Sequence, residues 1–186
     1  MENDRPDQPR PARGLVPERR VVVGGNTIAT SRHPGAGRRG AWKIVHLATS
    51  SIEAVSCPTT RLCVAVDGGE TLTSTDPTGS ARAWKIHTID PNGSSLIGIS
   101  CATNNLCLAI DNAEDGAGGY PSTHPTQGRS AWGYVGLGDR GDPINAVSCP
   151  ATRLCVIAQA TSSSPAGPVG GLALYSTTVT SQAPKG

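Results

Sequence analysis

A short phrase built around two cysteines occurs three times in the chain, and it constrains the fold more than any other feature. Its first copy begins at Ser56, contains Cys57 and Cys63, and ends in an apolar stretch. The first cysteines of successive copies lie 44 residues apart, Cys57 to Cys101, and then 48 residues apart, Cys101 to Cys149. Recurrence at this interval indicates a chain built from repeated supersecondary units, each of which needs its neighbours to bury its apolar surface.

The sequence of one unit predicts four short antiparallel strands, over 52–57, 62–67, 71–74 and 83–89. A turn at 58–61 separates the first two strands. Gly68-Gly69 predicts a hairpin turn, because glycine accepts a positive φ without a Cβ clash. Four such strands in about 40 residues are typical of one blade of a β-propeller.

We therefore predict an all-β fold, a β-propeller-like array of four-stranded antiparallel blades, about four in number and either complete or incomplete as a ring. The expected units are 20–47, 52–89, 96–137 and 144–176. Together they form a domain over 20–176, flanked by a disordered tail at 1–19 and a short polar tail at 177–186. Three ways of completing the ring stay open: the chain's own last strands, a larger ring of which this is a segment, or a second copy in a homo-oligomer.

The composition excludes several partners. The net charge is only +2 and the lysines and arginines are scattered, so no nucleic-acid footprint is expected. No apolar stretch is long enough for a membrane span, and the N-terminus shows no apolar segment of a secretory signal. The six cysteines nevertheless favour an oxidising compartment, so we expect an extracellular or cell-envelope location, with a reduced cytoplasmic protein as the alternative.

The cysteines form three pairs with identical spacing. Each pair flanks a turn between two antiparallel strands, where facing residues come close enough for a disulfide. Five residues separate the two cysteines, which is more than zinc sites commonly have. We therefore predict disulfides within the pairs, with buried free thiols as the alternative. The residues concerned are Cys57, Cys63, Cys101, Cys107, Cys149 and Cys155.

A second repeated element joins the third strand to the fourth. In its fullest copy it contains Ser74, Asp76, Gly79 and Trp84, and the tryptophan recurs as Trp42 and Trp132. This stretch resembles the Asp-box turn of sialidase-like (BNR) propellers, with wider spacing. The cysteine repeat is also similar to repeat propellers of bacterial secreted or envelope proteins. From the residues themselves, we expect a polar side chain to bond turn amides, the glycine to be left-handed, and the tryptophan to pack against the next blade.

The resemblance implies a fold rather than an activity, because the Asp-box lies away from the catalytic centre of those enzymes. Their catalysis uses an arginine triad and a tyrosine nucleophile. The chain has Tyr120, Tyr134 and Tyr175, but it has no matching arginine motif near its start. We nominate no catalytic residue, metal site or cofactor. Since Tyr134 and Tyr175 fall within predicted strands, strong stacking on sugars is not expected either.

The sequence thus favours a non-catalytic interaction or scaffold module that binds a protein or polysaccharide through loops on one face. The enlarged loops at 112–118 and 161–170 are the predicted contacts. Asp67 and Asp111, which end two second strands, are expected to cap the inter-strand turn, with a place lining the ring axis as the alternative. A sialidase-like glycoside hydrolase, or a fragment of one, is the alternative, and a bare structural fragment is the third reading.

Overall fold

The protein is all-β in the part of the chain that the structure describes. The computed structural model describes residues 20–33, 35, 40–47, 49, 51–90, 95–113, 117–137, 143–159 and 172–175. The predicted tails at 1–19 and 177–186 and the 161–170 loop lie outside these residues. Within the described part, the helical segments are two single 3₁₀ turns, and no helix is long and apolar enough to cross a membrane.

The strands form four antiparallel sheets, each ordered as in the chain. The first sheet contains β1 (Arg20–Gly24), β2 (Thr27–Ser31) and β3 (Trp42–His46). The second contains β4 (Ala54–Thr59), β5 (Leu62–Asp67), β6 (Glu70–Ser74) and β7 (Lys85–Thr88). The third contains β8 (Leu96–Thr103), β9 (Leu106–Asp111), β10 (Gly118–Ser122) and β11 (Val135–Gly136). The fourth contains β12 (Ile144–Ala151), β13 (Leu154–Gln159) and β14 (Leu172–Tyr175).

These sheets are the blades of a propeller-like array, as the sequence predicts. The first blade has the equivalents of the second, third and fourth strands, since Trp42 in β3 matches Trp84 just before β7. The fourth blade has the equivalents of the first three strands, beginning with the cysteine-bearing β12. Only the second and third blades show all four strands among the described residues.

The hairpin that carries each cysteine pair is tighter than expected. We predicted a turn over 58–61, but β4 continues to Thr59 and pairs it with Leu62. The register shifts by one residue in each of these hairpins, which marks a β-bulge: between Ser56 and Thr59, between Cys101 and Thr103, and between Ser148 and Ala151. Pro58 lies within the shifted stretch of the second blade, where a residue outside the ladder does not need a backbone N–H. The bulge absorbs the extra residue, so the two cysteines still face each other.

Each middle strand of a complete blade serves two neighbours, because its alternate side chains point to opposite faces. In β5, Val64 and Val66 pack on the third blade, whereas Cys63 and Ala65 pack on the first. All of β5 is buried. The same alternation in β9 joins the second and fourth blades. The core is therefore three apolar seams between successive blades, rather than a single central cluster.

Hydrogen bonds between blades reinforce these seams. The Cys101 backbone N–H donates to Ser56 Oγ of the preceding blade at 2.9 Å, and Cys149 does the same to Ser100. The segments that connect blades also bond the preceding hairpin turn: the Leu96 amide donates to the Gly68 carbonyl oxygen at 2.6 Å. The connectors and these turns therefore share one side of the array, which we call the connector face.

Candidate functional site

Two buried aspartates lie at the connector face, at the ends of β5 and β9. The Ser51 amide donates to Asp67 Oδ1 at 3.3 Å, and the Gly118 amide donates to Asp111 Oδ1. Ser51 belongs to the connector between the first two blades, and Gly118 begins β10 after the enlarged loop. Both carboxylates thus bond backbone amides near strand ends: Asp111 bonds the residue that ends the enlarged loop after it, and Asp67 bonds the connector that leads into its own blade.

Asp111 also anchors an aromatic pair. The Tyr120 hydroxyl donates to Asp111 Oδ2 at 3.1 Å. The Tyr134 ring meets the Tyr120 ring edge-on, with 5.3 Å between centroids and 63° between planes. Asp111 and Tyr120 are buried, whereas Tyr134 is 63% exposed. The arrangement holds an accessible aromatic ring on a rigid, hydrogen-bonded base.

The surroundings of Tyr120 keep its hydroxyl protonated. Burial raises the pKa of Tyr120 well above its ordinary value, and the negative charges of Asp111 and Asp90 raise it further. The hydrogen bond to Asp111 acts in the same direction, because only the neutral phenol can donate it. A tyrosine nucleophile needs the opposite shift, since it must give up its proton to attack.

The exposure of Tyr134 differs from the sequence-based interpretation. We placed Tyr134 within a strand and discounted it as a contact, but it precedes the two-residue β11 and projects from the outer edge of the third blade. A Cβ at Gly118 would lie 2.5 Å from Tyr134 Cε2, so the glycine makes room for the ring. Tyr134 therefore sits beside the start of β10, next to the enlarged loop.

The predicted contact loops are only partly within the described residues. Asn112 is exposed and Ala117 is buried, while 114–116 lies outside the description. The side chain of Tyr175 is likewise not described. The site that can be specified is therefore the group formed by Asp111, Tyr120 and Tyr134, which we call the tyrosine platform.

The repeated turns that join the third strand of a blade to the fourth, each with a serine at its start and a tryptophan at its end, follow β2, β6 and β10 on the side opposite the connector face. We call them the Ser–Trp turns, and all three share one serine hydrogen bond. Ser74 Oγ accepts the Asp76 amide at 3.1 Å. The equivalent serines, Ser31 and Ser122, accept the amides of His33 and His124 at 3.1 and 3.2 Å. The serine hydroxyl caps each turn through a backbone amide, so this contact is the same whether the next residue but one is aspartate or histidine.

Gly79 does not adopt the left-handed conformation that we expected. The described glycines with positive φ include Gly40 at 87° and Gly128 at 80°, but not Gly79. A Cβ on Gly79 would lie 2.7 Å from Asp76 Oδ2 and 2.8 Å from the Ala83 Cβ. The glycine is therefore needed for close packing inside the turn rather than for a special backbone angle.

The tryptophans face the blade before their own, which corrects the expected direction. Trp84 belongs to the seam with the first blade, and Trp132 to the seam with the second. Both are buried, and neither indole Nε1 has a hydrogen-bond partner. Trp42 is only half-buried, because no described blade precedes its own.

The structure joins the two cysteines of each pair in a disulfide. The Cα atoms of the joined residues are 4.1 Å apart for Cys57–Cys63 and 4.0 Å apart for the other two pairs. Cys101 and Cys149 are covered by the first strand of the preceding blade, but Cys57 is exposed. Such pairs suit an oxidising environment. Among the described residues, no group of three or more His, Cys, Asp or Glu side chains is arranged to hold a metal ion.

Comparison with known proteins supports the architecture. Among solved structures, the chain is similar to YCF48 from Cyanidioschyzon merolae, a β-propeller, with a TM-score of 0.53 and 15% sequence identity. The match covers 78% of this chain and 51% of that one, so this chain spans about half the length of YCF48. No protein-family model matches the sequence. No curated protein matches it either. The fold and the repeat together define a β-propeller module.

Proposed function

We propose that the protein is a non-catalytic, extracytoplasmic interaction module that binds a protein or polysaccharide through its connector face. The observation that carries this proposal is the tyrosine platform, in which the exposed Tyr134 ring rests on Tyr120 and, through it, on buried Asp111. Aromatic rings held at a fixed angle contribute large contact area at low cost in conformational entropy, and they are enriched where proteins bind partners.

The position of the platform also favours a binding role. It lies at the end of the third blade that carries the enlarged loop after Asp111, and loops on a rigid scaffold commonly carry contacts. The paired cysteines support an extracellular or envelope location, because disulfides persist in oxidising compartments. The serine-capped Trp turns are proposed to be variants of the Asp-box, with a structural role only.

A binding assay with matched variants tests the role of the platform. Oxidised protein is sedimented with insoluble cellulose, chitin or peptidoglycan, and in a second arm it is immobilised and exposed to secreted proteins. We expect Tyr134→Ala to lower retention by about tenfold, as for an interface hot spot worth above 1 kcal/mol. Val135→Ala changes an adjacent residue that is 40% exposed and serves as the control.

Two outcomes would contradict the proposal. One is that the wild-type protein binds none of these probes, and the other is that binding falls equally in the Tyr134→Ala and Val135→Ala variants. The alternative of a sialidase-like hydrolase has less support, because the environment of Tyr120 favours the neutral phenol. Turnover on a panel of fluorogenic glycosides, abolished by Asp111→Asn, would favour the hydrolase instead.

A further inference from the structure

Among the described residues, both end faces of the array carry apolar side chains that are less buried than their counterparts at the inner seams. In the fourth blade, the β13 residues Leu154, Val156 and Ala158 lie on the side away from the third blade. Leu154 is 37% exposed, whereas Leu62, its equivalent in the second blade, is 4% exposed. We call these three β13 residues the back face. In both inner blades, the matching positions are buried under the blade that follows.

The first blade has the complementary surface. Trp42 and Ile44 of β3 are equivalent to Trp84 and Ile86, which pack on the blade before them. Trp42 is half-buried, although its counterparts at the inner seams, Trp84 and Trp132, are 6% and 8% exposed. Ile44 is 60% exposed, and its counterpart in the third blade, Tyr134, is exposed as well, so the difference in burial between end and inner blades is shown by the tryptophan. We call Trp42 and Ile44 the front face. Every inner seam joins a back-type surface to a front-type surface, so the two ends carry the two halves of one more seam.

The chain does not join these halves to each other within the described residues. No strand of the first sheet packs extensively against a strand of the fourth. A ring of only four blades would also be at the lower limit for propellers.

We propose that a second copy of this chain packs against both end faces. The back face of each copy docks on the front face of the other, so that two head-to-tail contacts close a ring to which each copy contributes four blades. Head-to-tail contacts of this kind form closed rings when the rotation between copies closes. The occupant is a second copy because the front face has the tryptophan and isoleucine that the inner seams use at this place. The inference is independent of what the connector face binds.

Oligomeric state in solution, measured by light scattering after size exclusion, tests this proposal with the full chain. The wild type is expected at twice the chain mass of 19.0 kDa. Ile44→Glu and Leu154→Glu are each expected to be monomeric, because each places a charge in both contacts of the ring. Val135→Glu alters an apolar residue of similar exposure outside both end faces and is expected to remain dimeric.

Mixing the two end-face variants distinguishes this arrangement from other dimers. In an equimolar mixture, the unaltered back face of the Ile44→Glu chain meets the unaltered front face of the Leu154→Glu chain. One intact contact is then restored, and a dimer is expected to reappear. Because misfolded variants could not complement each other, recovery also shows that both are folded. A monomeric wild type, a dimer in either single variant, a mixture that stays monomeric, or growth to longer polymers would overturn the proposal.

Discussion

Ser100 Oγ accepts a hydrogen bond, 2.9 Å long, from the Cys149 backbone amide of the following blade. Ser56 makes the same contact with Cys101 one seam earlier. Each contact fixes the first strand of one blade against the first strand of the next. The repeated serine before each cysteine pair thus belongs to a seam between blades, rather than to the hairpin in which it lies.

Removing this serine hydroxyl should weaken one seam. Ser100→Ala leaves the Cys149 amide without its acceptor, so we expect a loss of about 1 kcal/mol in the free energy of unfolding. Ser148→Ala is the matched control: Ser148 holds the same repeat position, is exposed, and has no described blade after it. Urea unfolding of the two variants measures the difference. Equal effects would show that the inter-blade bond contributes nothing specific.

Substitution of Gly69 should be costly for a different reason. A Cβ at this position would collide with the Asp90 carbonyl oxygen, and backbone atoms in a packed connector cannot move aside easily. We expect Gly69→Ala to destabilise the protein by about 1–3 kcal/mol. Gly24→Ala is the comparison, because a Cβ there meets nothing within 4 Å and its φ is not positive. The midpoint of thermal unfolding should fall for the first variant only.

The three disulfides should differ in their resistance to reduction. Cys57 is exposed, whereas Cys101 is 8% and Cys149 is 6% exposed beneath neighbouring strands. A phosphine opens a disulfide by attacking one sulfur atom, and it is oxidised to the phosphine oxide while water supplies the oxygen and the thiol protons. Because this attack requires access to the sulfur, a limiting amount of phosphine should open the Cys57–Cys63 bridge first. Alkylation followed by peptide mass spectrometry identifies the order. Loss of each bridge is expected to lower stability by about 2 kcal/mol in the chain-entropy model. Simultaneous opening of all three bridges would contradict this ranking.

Stability should depend on pH through Tyr120. Its folded pKa is raised, so the unfolded chain releases this proton near the ordinary tyrosine pKa of about 10 while the folded chain keeps it. The stabilising contribution is therefore complete below about pH 10 and declines as the pH rises above that value. Tyr120→Phe should cost about 1–3 kcal/mol at neutral pH, because Asp111 loses a donor in a buried site.

The cost of Tyr120→Phe should then shrink as the pH rises, because phenylalanine has no proton to lose in either state. Denaturant titrations of both proteins at about pH 8 and on the alkaline side of the tyrosine pKa of about 10 measure this. Tyr134→Phe controls for ionisation of an exposed tyrosine. A pH-independent difference between wild type and Tyr120→Phe would contradict the linkage.

The strand order and the cysteine pairing could be predicted because they depend on local pattern. The alternation of apolar and polar residues over 52–57 indicates a strand, and the two glycines after Asp67 indicate the turn that follows the next one. The side of the blade that each tryptophan faces could not be predicted in this way. In β5, both faces are apolar because both are covered, so the sequence does not show which residues meet which neighbour.

The tyrosine platform was only partly accessible to sequence analysis. Asp111 was recognised as a turn residue, but its bond to Tyr120 depends on the pairing of β9 with β10 across the enlarged loop. The exposure of Tyr134 depends on the shortness of β11. A possible signal was the pair Gly118-Gly119 before Tyr120, since small residues there leave space for the Tyr134 and Leu137 side chains.

All three covalent cross-links join strands of the same blade, and none ties one blade to another. Tension applied to the two ends of the described array would thus act on the apolar seams and the few hydrogen bonds across them, while each cysteine hairpin stays intact. Blades should detach one at a time under load, and the second, third and fourth blades would each keep a cross-linked hairpin from which they could re-form, whereas the first blade has no such cross-link.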